Sequence, residues 1–289
     1  MKLLNTLDGR INQQTFIISK MIKINNKGDC RPIGILDSGV GGLSIAKAIA
    51  KKLPNENFIY VADTLHSPYG NKPLDFIQSR AHNISEFLFS QSAKALVIAC
   101  NTATVNAIDQ LRLNITIPII GVEPAIKPAA KKSMTKNIGI LVTKATAENF
   151  RFQRLIEEHK NDVEVHIQSC PGLVELIENN KIQSQECELL LTRYLTALLR
   201  KNVDTLVLGC THYPFLTEKI RKIVGTSVNI VETAVPVTLQ LKRILIEQNL
   251  LNLSKEPGRY RFLSSKVNQQ QQQLFNDLWQ QPLELKSFL

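Results

Sequence analysis

From Pro32 onward the chain alternates short β-branched runs with longer stretches of helical periodicity, and few folds accommodate that rhythm. The runs fall at residues 33–36, 58–62, 96–99, 138–142, 163–167, 206–208 and 228–231, with helical patterns between them over 43–52, 74–90, 150–158 and 186–199. A short run without a polar face must be covered on both sides. A helix between consecutive runs also returns the chain in parallel. The expected class is α/β, with mostly parallel sheets flanked by helices.

The rhythm also repeats. Ala95-Leu-Val-Ile-Ala-Cys100-Asn-Thr has a counterpart in Thr205-Leu-Val-Leu-Gly-Cys210-Thr-His, an offset of 110. Ile33-Gly-Ile-Leu36 matches Ile138-Gly-Ile-Leu141 at 105, and Val122-Glu-Pro-Ala125 matches Val231-Glu-Thr-Ala234 at 109. Three pairs in one order argue for a duplication. Two similar α/β lobes would each carry one cysteine just past the carboxyl end of a buried strand. Chance likeness among parallel strands is the plainer alternative.

Composition narrows the function classes. The chain has 289 residues, 44% of them apolar, which suits a globular protein with a sizeable core. No apolar run reaches the roughly 18 residues of a membrane span, and Asp8 and Arg10 interrupt the amino-terminal stretch where a signal peptide would lie. Cys30, Cys100, Cys170, Cys187 and Cys210 form an odd, widely spaced set without CxxC, which argues against a disulfide framework or a zinc site and for a reducing, cytoplasmic setting. The net charge of +10 is scattered, so nucleic acid is not an expected partner, although the charge would steer a small anionic substrate.

Residues 1–30 are polar and aperiodic and read as an extension, with Met21 an alternative start. The five glutamines 269–273 could mark low complexity. Leu274, Phe275, Leu278 and Trp279 instead recur at helical spacing and favour an amphipathic helix packed on the protein.

In open parallel sheets, ligands bind outside the carboxyl ends of the strands. Asp37, residues 67–70, Cys100 to Thr102, Thr143 to Thr146, and Cys210 to His212 all lie in such positions. A histidine or helix amino terminus near a cysteine favours its thiolate. Cys30, Cys170 and Cys187 read as buried filler, whereas Cys100 and Cys210 occupy matched turns. Two like groups facing one carbon suit racemisation, in which one removes the α-proton and the other returns a proton to the opposite face. The turn Asp37-Ser-Gly-Val-Gly-Gly42 lacks the third glycine of a dinucleotide loop. It reads either as a turn that lets backbone approach a small ligand or as a plain strand-to-helix turn capped by Asp37.

Four segments in order, residues 35–43 (Ile-Leu-Asp-Ser-Gly-Val-Gly-Gly-Leu), Ser67-Pro-Tyr-Gly70, Ala99-Cys-Asn-Thr-Ala103 and Gly209-Cys-Thr-His-Tyr-Pro214, resemble the motif set of the bacterial glutamate racemases, within the aspartate/glutamate racemase superfamily. The likeness runs from about Pro32 to the carboxy-terminal helix. It implies that Cys100 takes the α-proton of D-glutamate and Cys210 that of L-glutamate, with Asp37 assisting the first and His212 the second. Asp37, Ser38, Pro68, Tyr69, Gly70, Asn101, Thr102, Thr143, Thr146, Thr211 and His212 would hold the substrate, and no pyridoxal or metal is implied. Cys170-Pro171 maps onto a segment leading to a glutamate of the second half-site, here Glu178. Glu175 stands where a proline is common, so Glu178 is equally readable as a solvated helix carboxylate.

The same likeness divides the chain into an extension (1–30), a first lobe (31–124), a second lobe (125–234) and a segment returning to the first lobe (235–289), with the site between the lobes. It implies D-glutamate supply for peptidoglycan, a homodimer, and activation by a peptidoglycan precursor in some longer members. Aspartate racemase differs by one methylene in its substrate, worth about 1–3 kcal/mol of discrimination. A bilobal amino-acid binder would bind without exchanging the α-hydrogen.

Overall fold

The computed structural model describes residues 28–288, so Met21 and nearly all of the amino-terminal extension lie outside the described residues. Strands β1 (Ile33–Asp37), β2 (Phe58–Ala62), β3 (Ala95–Ile98) and β4 (Ile119–Gly121) start the first sheet. Strands β5 (Asn137–Val142), β6 (Glu164–Ser169), β7 (Thr205–Leu208) and β8 (Asn229–Val231) form the second. Strands β9 (Tyr260–Ser264) and β10 (Leu285–Ser287) then join the first sheet, whose order is β10-β9-β2-β1-β3-β4, against β6-β5-β7-β8 in the second. Every pairing between these strands is parallel.

The shared order β2-β1-β3-β4 and β6-β5-β7-β8 gives the sequence repeat its physical meaning. Ile33 pairs with Ala95, and their repeat counterparts Ile138 and Thr205 pair with each other. The central strands β1, β3 and β7 are buried at every position, which is why they read as unbroken apolar runs.

The helix Ala234–Glu247 leaves the second lobe, and its Val237, Leu241 and Leu245 join the same apolar cluster as Ile45 and Ile49 of helix Leu43–Lys52. Beyond it, Phe262, Phe275 and Trp279 pack with the β2 aromatics Phe58 and Tyr60, with Phe58 stacked on Tyr260 at 4.2 Å and Phe262 edge-on to Trp279 at 5.0 Å. The glutamine run forms the start of helix Gln269–Trp279, and Asn268 caps it by accepting the Gln271 N–H at 2.8 Å. No helix among the described residues is long and apolar enough to cross a membrane.

Candidate active site

The site is built on the carboxyl ends of β1, β3 and β7. Asp37 closes β1 with its side chain turned inward, and its Oδ2 accepts the N–H groups of Gly39 (3.1 Å) and Gly42 (3.0 Å). That pins the turn into helix Leu43–Lys52. Its Oδ1 is buried without a protein partner. Burial pushes the carboxyl up to about 6, against the lowering effect of the His212 charge.

Cys100 follows β3 and caps helix Asn101–Asn114, its sulfur accepting the Ala103 N–H at 3.4 Å. Its thiol points to Ser38 Oγ at 3.5 Å. A helix terminus favours the thiolate, but here burial, together with the negative charge of Asp37, prevails and pushes the thiol up to about 12.

Cys210 occupies the corresponding place after β7, with its sulfur 3.7 Å from His212 Nδ1. His212 Nε2 lies 2.6 Å from Glu178 Oε1, and that oxygen also accepts the Val40 N–H at 2.9 Å. Burial alone would lower the imidazole, yet contact with the Cys210 sulfur and the Glu178 carboxylate raises it well above the ordinary histidine range. Glu178 is only 8% exposed, which corrects its reading as a solvated helix carboxylate. It belongs to the second lobe and grips the glycine turn of the first.

Glycine at 41 permits that approach, since a Cβ there would run into the His212 ring and Thr211 Oγ1. Ser44 Oγ, a residue the motifs do not single out, reaches the Thr211 carbonyl at 3.0 Å across the same seam. Thr102, Thr143 and Thr146 bring three hydroxyls together, with Thr102 Oγ1 2.9 Å from Thr143 Oγ1 and Thr143 Oγ1 3.0 Å from Thr146 Oγ1. Gly70 packs on Thr143, following a cis Ser67-Pro68 peptide. Asn101 donates to the Val122 carbonyl at 3.4 Å and leaves its Oδ1 unpartnered. The Tyr69 hydroxyl turns away to Asp63 at 2.6 Å, and its ring is buried in the apolar cluster that includes Ile98 and Cys100.

Asp37 Oδ1, Ser67 Oγ, Asn101 Oδ1 and Glu178 Oε2 are all buried without a protein partner, a concentration of unmet polarity characteristic of a ligand site. Among the described residues, no three His, Cys, Asp or Glu side chains are grouped to hold a metal ion. Cys170 and Cys187 are buried as expected of filler, but Cys30 is exposed, because it lies in the segment leading into β1, outside the core.

Residues 43–238 match the Asp/Glu/Hydantoin racemase family. A glutamate racemase of Pseudomonas putida is 44% identical over 259 residues, covering 89% of this chain and 97% of the relative. The structure of a Francisella tularensis glutamate racemase in complex with D-glutamate superposes with a TM-score of 0.80 at 32% identity, covering 90% of this chain and 98% of that one. An Escherichia coli glutamate racemase in complex with L-glutamate and the activator UDP-MurNAc-Ala gives 0.79 at 28% identity, covering 89% and 98%. The chain belongs to the Asp/Glu/Hydantoin racemase family and is an amino-acid racemase.

Proposed function

We propose that the chain interconverts L- and D-glutamate by proton transfer between two thiols, Cys100 and Cys210. The observation that carries this reading is the pairing of two cysteines at equivalent strand ends, each with its own polar escort: Ser38 and Asp37 beside Cys100, and His212 with Glu178 beside Cys210. The names of the relatives, and the enantiomers present in the Francisella and Escherichia structures, support glutamate as substrate.

From L-glutamate, Cys210 as thiolate takes the α-proton: the C–H bond breaks, an S–H bond forms, and the electron pair delocalises into the α-carboxylate. The Cys100 thiol then gives its proton to the opposite face and is left as thiolate. The D-to-L direction reverses these roles. His212, held cationic by Glu178, favours the Cys210 thiolate. Asp37 acts on the Cys100 side, where burial and its charge favour the protonated thiol that this reading needs in the L-to-D direction. Ser38, Asn101, Thr102, Thr143, Thr146 and Thr211, with the backbone of residues 68–70, would hold the carboxylates and ammonium.

D-glutamate supply for peptidoglycan, assembly as a homodimer, and control by a peptidoglycan precursor belong to the same proposal. The activator named for the Escherichia relative supports the last. The decisive test follows optical rotation of L- and D-glutamate with purified enzyme, without cofactor and with a chelator. Racemisation of both enantiomers is expected. Turnover of aspartate alone, or binding without exchange of the α-hydrogen, would overturn the proposal.

A further inference from the structure

Asp63 immediately follows β2 at the carboxyl edge of the first sheet and is fully buried, with its N–H bonded to the Asp37 carbonyl at 3.0 Å. Four donors converge on its two oxygens. Oδ2 accepts from the Tyr69 hydroxyl (2.6 Å) and Arg80 Nε (2.8 Å), while Oδ1 accepts from Arg80 Nη2 (2.9 Å) and lies 2.8 Å from His66 Nδ1. These partners come from three separate pieces of chain: the turn Thr64–His66, the turn Tyr69–Asn71 and the helix Leu74–Ser90. Burial would raise the Asp63 carboxyl, but the bonds from Arg80, His66 and Tyr69 outweigh it and hold it below the usual range, so it stays a carboxylate.

The segment so gripped is residues 64–71, which form one wall of the cleft. Its Ser67 Oγ is buried without a protein partner and borders the glycine turn, where a Cβ on Gly39 would meet it at 2.9 Å. Its Gly70 lies against Thr143 of the other lobe. Such a turn contains few backbone bonds of its own. Leu65 N–H to Ser265 Oγ (2.9 Å) and Ser264 Oγ to Thr64 Oγ1 (3.0 Å) anchor its start, and the Asp63 carboxylate holds the part that carries His66 and Tyr69.

We propose that Asp63, clamped by the bidentate Arg80 guanidinium, is a positioning residue that fixes the Ser67 to Gly70 wall for substrate binding through the Tyr69 hydroxyl and His66. The inference rests on reading the cleft as the glutamate site. It assigns Asp63 no proton-transfer step, since both its oxygens are engaged by Tyr69, Arg80 and His66. Loosening it should weaken the grip on substrate more than it slows the chemistry.

The test compares wild type with Asp63→Asn, Arg80→Lys and Tyr69→Phe, each as the full chain, by initial rates in both directions and thermal unfolding. Asp63→Asn should raise KM for both enantiomers by about tenfold or more while kcat falls less than about threefold. Tyr69→Phe, which removes one hydroxyl, should raise KM by about threefold with an unfolding temperature lowered by only a few degrees. Arg80→Lys keeps the charge but not the fork, so its KM should fall between those of wild type and Asp63→Asn. A folded Asp63→Asn with KM within about twofold of wild type, or with kcat alone reduced, would overturn the proposal. Should Asp63→Asn fail to fold, an unchanged KM in Tyr69→Phe would do so. A wild type inert towards glutamate would remove the substrate reading and this inference together, whereas an active wild type beside an unaffected variant removes this inference alone.

Discussion

At the scale of single residues, the two thiols are chemically alike but differently escorted, and the escorts give separable predictions. Cys100→Ala and Cys210→Ala should each lower racemisation by at least ~10³-fold with folding retained, because in the proposed mechanism each thiol acts once per turnover. The serine variants should be nearly as inactive, a hydroxyl being a far poorer base at neutral pH. His212→Asn should impair proton removal from L-glutamate more than from D-glutamate, and Asp37→Asn the reverse. The enantiomers have equal free energy in solution, so kcat/KM must fall equally in both directions. The bias should appear in kcat and KM separately and in primary isotope effects on α-deuterated substrates; equal changes in both directions would refute this division of labour. Asp37 carries a further consequence for stability. Its folded pKa of about 6 lies above the ordinary 3.8, so the stability it lends is fully present below 3.8 and is lost as pH rises through about 6. Each pKa unit is worth about 1.4 kcal/mol, so ionised Asp37 destabilises the fold by roughly 2–3 kcal/mol above pH 7. Asp37→Asn still accepts the two backbone bonds but does not ionise. Chemical denaturation should find it more stable than wild type at pH 8, with the difference vanishing near pH 4.

Among the elements, strands with apolar runs and helices with a regular apolar face were legible in the sequence. The periodicity over 43–52, 58–62 and 74–90 coincides with the helix Leu43–Lys52, strand β2 and the helix Leu74–Ser90. The strands β4, β9 and β10 were not singled out, for physical reasons. Strand β4 has only three residues, β9 exposes Arg261, and β10 buries only Leu285, so each offers too short an apolar run to stand out. The turns bearing Cys100 and Cys210 were readable because the repeat placed them. Asp63 was not, since its partners Tyr69 and Arg80 gather only in three dimensions. Nothing local in the helix of Glu178 shows that Val40 and His212 will meet it, so the sequence alone leaves its role open. The glycine turn 39–42 tests how closely elements must approach. Gly41→Ala adds one methyl where the His212 ring and Thr211 already stand, and holding the lobes even 1 Å apart should lower kcat by about 100-fold. Its circular dichroism should match wild type. Retention of full kcat would show that the seam yields easily.

For the molecule as a whole, the lobes meet through bonds at the site, Val40 to Glu178, Ser44 to Thr211 and Thr102 to Thr143, and through others outside it, Asn71 to Glu175, Asn106 to Asn149, Asp109 to Arg151 and Asn180 to Asp277. In this closed state Cys100 and Cys210 are each only 5% exposed, too little for an amino acid to reach either sulfur. If substrate enters by parting of the lobes, the covalent accessibility of the thiols reports that motion. Alkylation by iodoacetamide, followed site by site by mass spectrometry, provides its own controls, because Cys30 is exposed while Cys170 and Cys187 are buried within the second lobe's packing. Cys30 should react at once, and Cys170 and Cys187 only on unfolding. Cys100 and Cys210 should react at an intermediate rate, slowed by glutamate, which favours the closed state. Gly41→Ala, wedged at the seam, should speed alkylation of Cys210 and Cys100 without affecting Cys170 or Cys187. If all four buried cysteines instead react together in wild type, exposure comes from general unfolding, and the lobes do not move as separate bodies during turnover.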